Sequence, residues 1–201
     1  MLDVRLAAAS DAFPAAETRR VDTRGRSSQL RLAAGLLSRE LDKPAALDVS
    51  GLTGERLSAF VEGLVLGGHR LAGPTAAPAD LPVRLVGVQD ESALERGRSA
   101  AAATMWAREL ANTPASTKTP SWLGTRAAGQ LRPLGVEVAV RDEQWLADEG
   151  FGGVLAVGAG AAAPPRLIEA SWRPRRARAG VHAVLVGKGI TFDTGGINLK
   201  R

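Results

Sequence analysis

The chain contains no cysteine, which excludes disulfide staples and thiolate metal sites and suits a reducing compartment. Histidine is scarce as well. His69 and His182 are the two present, far apart and without a ligand spacing such as His-Glu-x-x-His, so both read as packing or surface residues. No stretch approaches the roughly 18 apolar residues of a membrane-spanning helix. The opening MLDVRLAAASDAF lacks a basic region followed by a long apolar run, so no signal peptide and a cytoplasmic location are expected. Neither an internal repeat nor a low-complexity tail is visible. What remains is 201 residues, 45% hydrophobic, enough for a real core in one or two domains.

The net charge of +5 and a pI near 10.6 invite a nucleic-acid reading. Most basic residues, however, are arginines scattered along an Ala- and Gly-rich chain. Only Arg173, Arg175, Arg176 and Arg178 cluster, in WRPRRARAG between two candidate strands. Without aromatic interleaving or a recognised binding motif, a solvated loop explains them, and nucleic acid is the weaker reading.

Patterning along the chain predicts alternating strands and helices. Residues 2–9 read as a strand and 12–26 as a polar connection. Ser28 to Leu41 carries leucines near helical spacing before Pro44, and 45–49 reads as a short strand. Thr53 is a candidate N-cap for a second helix whose face is Leu57, Phe60, Val61, Leu64 and Val65. Residues 71–82 read as a Pro/Ala/Gly linker and 83–88 as a strand. Glu91 to Leu110 is the longest helical signal, Ala-rich with Leu94, Met105, Trp106 and Leu110 as bulky anchors, and Asn112-Thr113-Pro114 ends it. Beyond it, 120–132 reads as a helix and 136–140 as a strand. Asp142 can cap a short helix to Ala147, and 167–172 and 181–186 read as strands.

The most informative stretch is Val184 to Arg201, VLVGKGITFDTGGINLKR. A short β-branched run gives way to a Gly-rich turn that carries Lys188, Asp193 and Lys200. Strand ends of this kind are where α/β proteins commonly place ligands. A phosphate loop fails, because Gly189 follows Lys188 where Ser or Thr is needed and His182 stands at the leading Gly position. Gly158-x-Gly160 is a weak dinucleotide hint, since no third Gly is correctly placed and Pro164-Pro165 forbids a helix there.

The whole string Gly187-Lys188-Gly189-Ile190-Thr191-Phe192-Asp193-Thr194-Gly195-Gly196, continuing to Leu199-Lys200, closely resembles the metal-binding signature of the leucyl aminopeptidase (cytosol aminopeptidase) family. Three other segments strengthen the resemblance: VEGLVLGGHRL (residues 61–71), ANTPASTKTPSWL (111–123) and VGAGAAAPPRLI (157–168). In the last, the family places a strand pair.

The resemblance implies an α/β architecture in three parts: a small macro-domain-like N-terminal α/β domain over residues 1–90, a linking helix over 91–112, and the truncated start of an aminopeptidase catalytic domain over 113–201. It implies a metal-dependent exopeptidase acting on peptides through two divalent ions, Mn or Zn with Mg possible, and typically a hexamer. Lys188 would be a metal ligand, which requires a neutral amine and hence a pKa drawn well below its usual ~10.4. Asp193 would bridge the two ions, as hard carboxylate oxygen suits them. Lys200 would stay cationic and stabilise charge growing on the scissile carbonyl oxygen. A two-metal site lowers the pKa of a bridging water. The family's further acidic ligands and an arginine fall beyond position 201, so these residues alone are expected to bind metal weakly and not to turn over substrate. Two function classes stay open: such an aminopeptidase, here as an incomplete fragment, or a non-catalytic α/β module that binds a partner protein or nucleic acid through its basic surface.

Overall fold

In the first part of the chain, short apolar runs alternate with amphipathic stretches, the pattern that lays strands into a parallel sheet with helical crossovers. The computed structural model describes residues 2–6, 18–69, 79–174 and 180–192, and divides the chain into two units, Met1–Glu109 and Leu110–Arg201.

The first unit orders as β1 (Leu2–Leu6), β2 (Thr18–Arg20), α1 (Ser27–Glu40), β3 (Ala45–Asp48), α2 (Gly54–Gly68), β4 (Ala79–Val86) and most of α3 (Glu91–Asn112). Its four strands form one sheet in the order β1-β4-β3-β2, every ladder parallel. The core gathers Leu30 and Ala34 of α1, Leu47 of β3, Leu57, Phe60, Val61 and Leu64 of α2, and Val83 of β4. The α/β expectation holds, with corrections at particular elements. β2 lies within what reads as polar connection, because its three residues, Thr-Arg-Arg, are exposed and show no alternation. A short, charged edge strand carries no hydrophobic signal. β4 begins at Ala79 rather than Val83, running through Pro82. The ladder to β3 starts only at Val83, so residues 79–82 pair with β1 alone. Pro82 is thus locally at an edge, where a missing N–H is tolerated.

α1 and α2 lie backbone against backbone. A Cβ at Gly63 would collide with the carbonyl oxygen of Arg31, and one at Gly67 with the backbone of Gly35. The ion pair between Arg31 and Glu62, 2.7 Å, closes the same seam on the solvent side. α3 is seated on α2 in a related way. Its buried residues are Ala93, Gly97 and Ala101, one helical face, while Met105 and Trp106 are only half-buried. The bulky anchors read from sequence are therefore not what seats this helix. A Cβ on Gly97 would stand 2.6 Å from the Ser58 carbonyl oxygen, which leaves room for small residues alone.

Asp90 fixes the starts of two helices at once. One carboxylate oxygen accepts from the Ala93 N–H and the other from the Gly54 N–H, both at 2.9 Å. Thr53 occupies the N-cap position of α2 but makes no side-chain cap bond, so Asp90 supplies it from 36 residues away.

The second unit contains α4 (Pro120–Leu131) with a 3-10 turn to Leu134, β5 (Glu137–Arg141), α5 (Glu143–Asp148), α6 (Gly152–Gly158) and β6 (Leu167–Ser171). β5 and β6 pair antiparallel, Glu137 opposite Ser171 and Arg141 opposite Leu167. Asp142 caps α5 as expected, accepting from Trp145 N–H at 2.9 Å. Strand 167–171 pairs with β5 rather than with the expected neighbour at 181–186, and residues 152–157, which lead into the segment where the resemblance implies a strand pair, are helical. The Phe151 carbonyl accepts from both Val154 and Leu155, which nucleates a turn, and the helix ends at Gly158, well before Pro164. The strand expected at 181–186 is also absent. These residues carry no regular secondary structure and are exposed, Leu185 at 96% and Val186 at 94%. An apolar β-branched run becomes a strand only where a neighbour completes its hydrogen bonds.

Three outcomes follow from this packing. Gly63→Ala should destabilise by about 3 kcal/mol, because the clash is with backbone rather than a movable side chain; urea unfolding measures it. Asp90 has its carboxyl held below the usual carboxylate range by the Ala93 and then the Gly54 backbone N–H donors. A depressed folded pKa contributes stability that is present above the unfolded value of about 3.9 and lost as pH falls through the folded value. Asp90→Ala should lower the unfolding midpoint at pH 7 and lose part of the decline below pH 4 seen in the parent. Under limited proteolysis, the first cuts should fall within residues 180–192, with a fragment ending near Asn112 surviving longest; mass spectrometry reads the order.

Candidate metal-binding turn and its support

The residues singled out by their chemistry lie in and after the irregular segment 180–192. Lys188 is exposed, between Gly187 and Gly189, and no hydrogen bond or ion pair is recorded for it among the described residues. Asp193 and Lys200 lie outside the described residues, so their expected convergence with Lys188 is not seen directly. Among the described residues, no three His, Cys, Asp or Glu side chains come together where they could hold a metal ion. The two ligands expected from the sequence, an amine nitrogen at Lys188 and a carboxylate at Asp193, stand five positions apart in the chain. That pair fits divalent-cation chemistry as a partial set, since such sites ordinarily take three or four protein ligands.

The support beneath the turn is built from the sequence upward. Thr119 caps α4, its Oγ1 accepting from Trp122 N–H at 3.2 Å, and Pro120 follows at the first helical position, where its missing N–H costs nothing. Gly124 sits against β5: a Cβ there would stand 2.7 Å from Val140 Cγ1. α4 can therefore lie flush on the strand. Leu123, the preceding residue, meets the turn; the Cβ position of Gly189 is 3.4 Å from Leu123 Cδ2. Upstream, Lys118 donates to the carbonyl oxygens of Leu110 and Ala111 at 3.0 and 3.1 Å, a cationic cap on the last turn of α3. Sequence reading missed the roles of Leu123 and Lys118. For Lys118 the signal was available, a lysine just past a helix end; for Leu123 it was not, because its partner lies 66 residues away.

Around β5, charge and aromatic groups interlock. The Arg141 guanidinium pairs with Glu169 at 2.7 Å and lies 4.8 Å from the Trp145 ring centroid, while Trp145 stacks on Phe151. Arg166 bonds Glu143, tying the start of β6 to α5. His182 is exposed and His69 half-buried, and among the described residues no metal cluster forms about either. None of the described helices is long and apolar enough to cross a membrane.

Comparison with known proteins places this geometry. The profile of the cytosol aminopeptidase family, catalytic domain, matches residues 105–201, an interval that contains the turn and α4. A "Probable cytosol aminopeptidase" of Mycobacterium sp. (strain JLS) is 36% identical over an alignment spanning all of this chain and 40% of the relative. Among solved structures, the "Bottromycin maturation enzyme BotP in complex with Mn" superposes with a TM-score of 0.67 at 32% identity, over 75% of this chain and 34% of that one. The cytosol aminopeptidase of Coxiella burnetii shares the fold, with a TM-score of 0.62 at 19% identity over 76% and 33%. The chain spans 40% or less of the length of each of these. By residues 105–201, and by relatives that align along its whole length, the chain matches the cytosol aminopeptidase family.

Proposed function

We propose that this chain is part of a metal-dependent aminopeptidase that releases N-terminal residues from peptides. The observation that carries the reading is the match of residues 105–201 to the family's catalytic domain, over an interval that includes the Gly187–Lys200 signature. The solved relative in complex with Mn supports divalent-cation chemistry, and two ions, Mn or Zn, belong to the proposal. Hexameric assembly and a cytoplasmic location rest on the family resemblance. A non-catalytic basic module is the weaker reading, because the matched interval is the catalytic domain rather than the N-terminal unit.

Three residues of this chain take roles. Lys188 binds a cation through its amine nitrogen, which offers a lone pair only once its proton is displaced by the metal. Asp193 supplies carboxylate oxygen to the same centre. Lys200 holds its proton and offers a positive donor to the carbonyl oxygen of the scissile bond as negative charge develops there. When bound, the ions supply an activated water at neutral pH and polarise the carbonyl. The protein's own contribution is placement: an amine, a carboxylate and an ammonium within a 13-residue segment, on a turn whose glycines allow close approach.

The test separates the two lysines in the full-length protein carrying this segment. Lys188→Ala should lose one ion as well as activity, and Lys188→Arg should fail equally, since guanidinium stays protonated and offers no lone pair. Lys200→Ala should keep both ions and lose activity chiefly in kcat, by about 10²–10³-fold, the effect of removing one oxyanion donor. Elemental analysis beside steady-state kinetics on leucyl substrates reads both. Loss of metal from Lys200→Ala with retention in Lys188→Ala would reverse the assignment.

A further inference from the structure

We infer that Leu123 is the positioning residue for the Lys188 turn: its side chain backs Gly189 and so fixes where the neighbouring amine can sit. This rests on the reading of Lys188 as a cation ligand and adds to it the part that aims the ligand. Three observations converge. Leu123 Cδ2 lies 3.4 Å from the point where a side chain on Gly189 would begin, so the leucine borders that face of the residue directly after Lys188. Gly187, on the other side of Lys188, has open space at its own Cβ position, so the described backing of the turn is on the Gly189 side. Finally, α4 is itself held in place. Thr119 caps its start, and Gly124, adjacent to Leu123, allows the helix to lie against Val140 of β5.

The physical consequence is directional. Lys188 has a long side chain with four rotatable bonds, and nothing described constrains its amine. A flexible ligand contributes affinity only if its backbone anchor is fixed, because each freed torsion must be ordered again on binding. Gly189 has no side chain with which to anchor itself. A leucine seated in a fixed helix supplies the anchor from outside, as outer supports around metal ligands generally do. Backing of this kind changes affinity without touching the ion.

The experiment uses full-length protein loaded with Mn²⁺ alone, with free Mn²⁺ followed in equilibrium dialysis and the site's electron paramagnetic resonance spectrum recorded. Leu123→Ala should weaken binding of the more labile ion about 10–100-fold and broaden its spectrum. Leu123→Met, which keeps volume and reach, should restore affinity to within a few-fold of the parent. Leu123→Val is the milder probe should the alanine variant not fold; circular dichroism establishes folding, and a several-fold loss is expected. Folded Leu123→Ala or Leu123→Val with parental Mn²⁺ affinity and spectrum, beside a Lys188→Ala variant that loses an ion, would overturn the inference and leave the ligand reading standing. Retention of both ions by Lys188→Ala would overturn both together.

Discussion

A chain with 4% aromatic residues and 23 glycines has little bulk with which to fill space between its layers, so its helices must come close. Dispersion forces fall steeply with distance, and a gap of even an ångström forfeits much of the contact. The structure meets this constraint by removing side chains at the crossing points. Gly63 and Gly67 of α2 face Arg31 and Gly35 of α1, Gly97 of α3 faces Ser58, and Gly124 of α4 faces Val140. Everything else in the first unit depends on the α1–α2 contact, since Leu30, Ala34, Leu57, Phe60 and Leu64 reach the sheet only if both helices keep their distance. Close packing of this kind tolerates no added methyl group, yet it needs few large residues.

Polar groups then fix angles that small residues leave loose. Asp90 binds the first turns of α2 and α3 with one carboxylate, and Ser58 Oγ donates to the Ala93 carbonyl oxygen at 2.7 Å across the same junction. Lys118 neutralises carbonyl groups at the far end of α3. These bonds are half-exposed and individually modest. Their effect is orientational, because each joins elements that the apolar contacts would allow to rotate.

How much of this was legible in the sequence depends on the range of the interaction. Helices α1, α2, α3 and α4 and the Asp142 cap follow from local periodicity and start signals, and the sequence supports them within one or two residues. β2 was not legible, since Thr-Arg-Arg has no apolar face. The N-terminal half of β4 was hidden by Pro82, whose tolerance comes from the absence of a β3 neighbour at that point. Residues 152–157 carry no decisive local signal, because a short apolar run fits strand or helix equally well, and the Phe151 carbonyl decides for helix. Among the candidate site residues, Lys188, Asp193 and Lys200 were readable only through the string they share with a family. The contact of Leu123 with Gly189 joins residues too distant in sequence for any pattern to show.

The segment from Val181 to Phe192 shows why such a site resists local prediction. Val184, Leu185 and Val186 have the residue types of a buried strand, yet they lie outside regular secondary structure and exposed among the described residues. β-Propensity describes how well a residue fits a pleated, half-covered surface, and that surface must come from elsewhere. A metal site, in turn, demands that its ligands be held to within about half an ångström. The Lys188 turn follows directly from this run, so its precision depends on whatever ladders 181–186 and on the α4 contact at Gly189. Under the proposed ligand roles, covering residues 181–186 and completing the ligand set would be coupled: a cation that drew Lys188 and Asp193 together would also restrain the run that leads into them, and binding free energy would become folding free energy for this part of the chain.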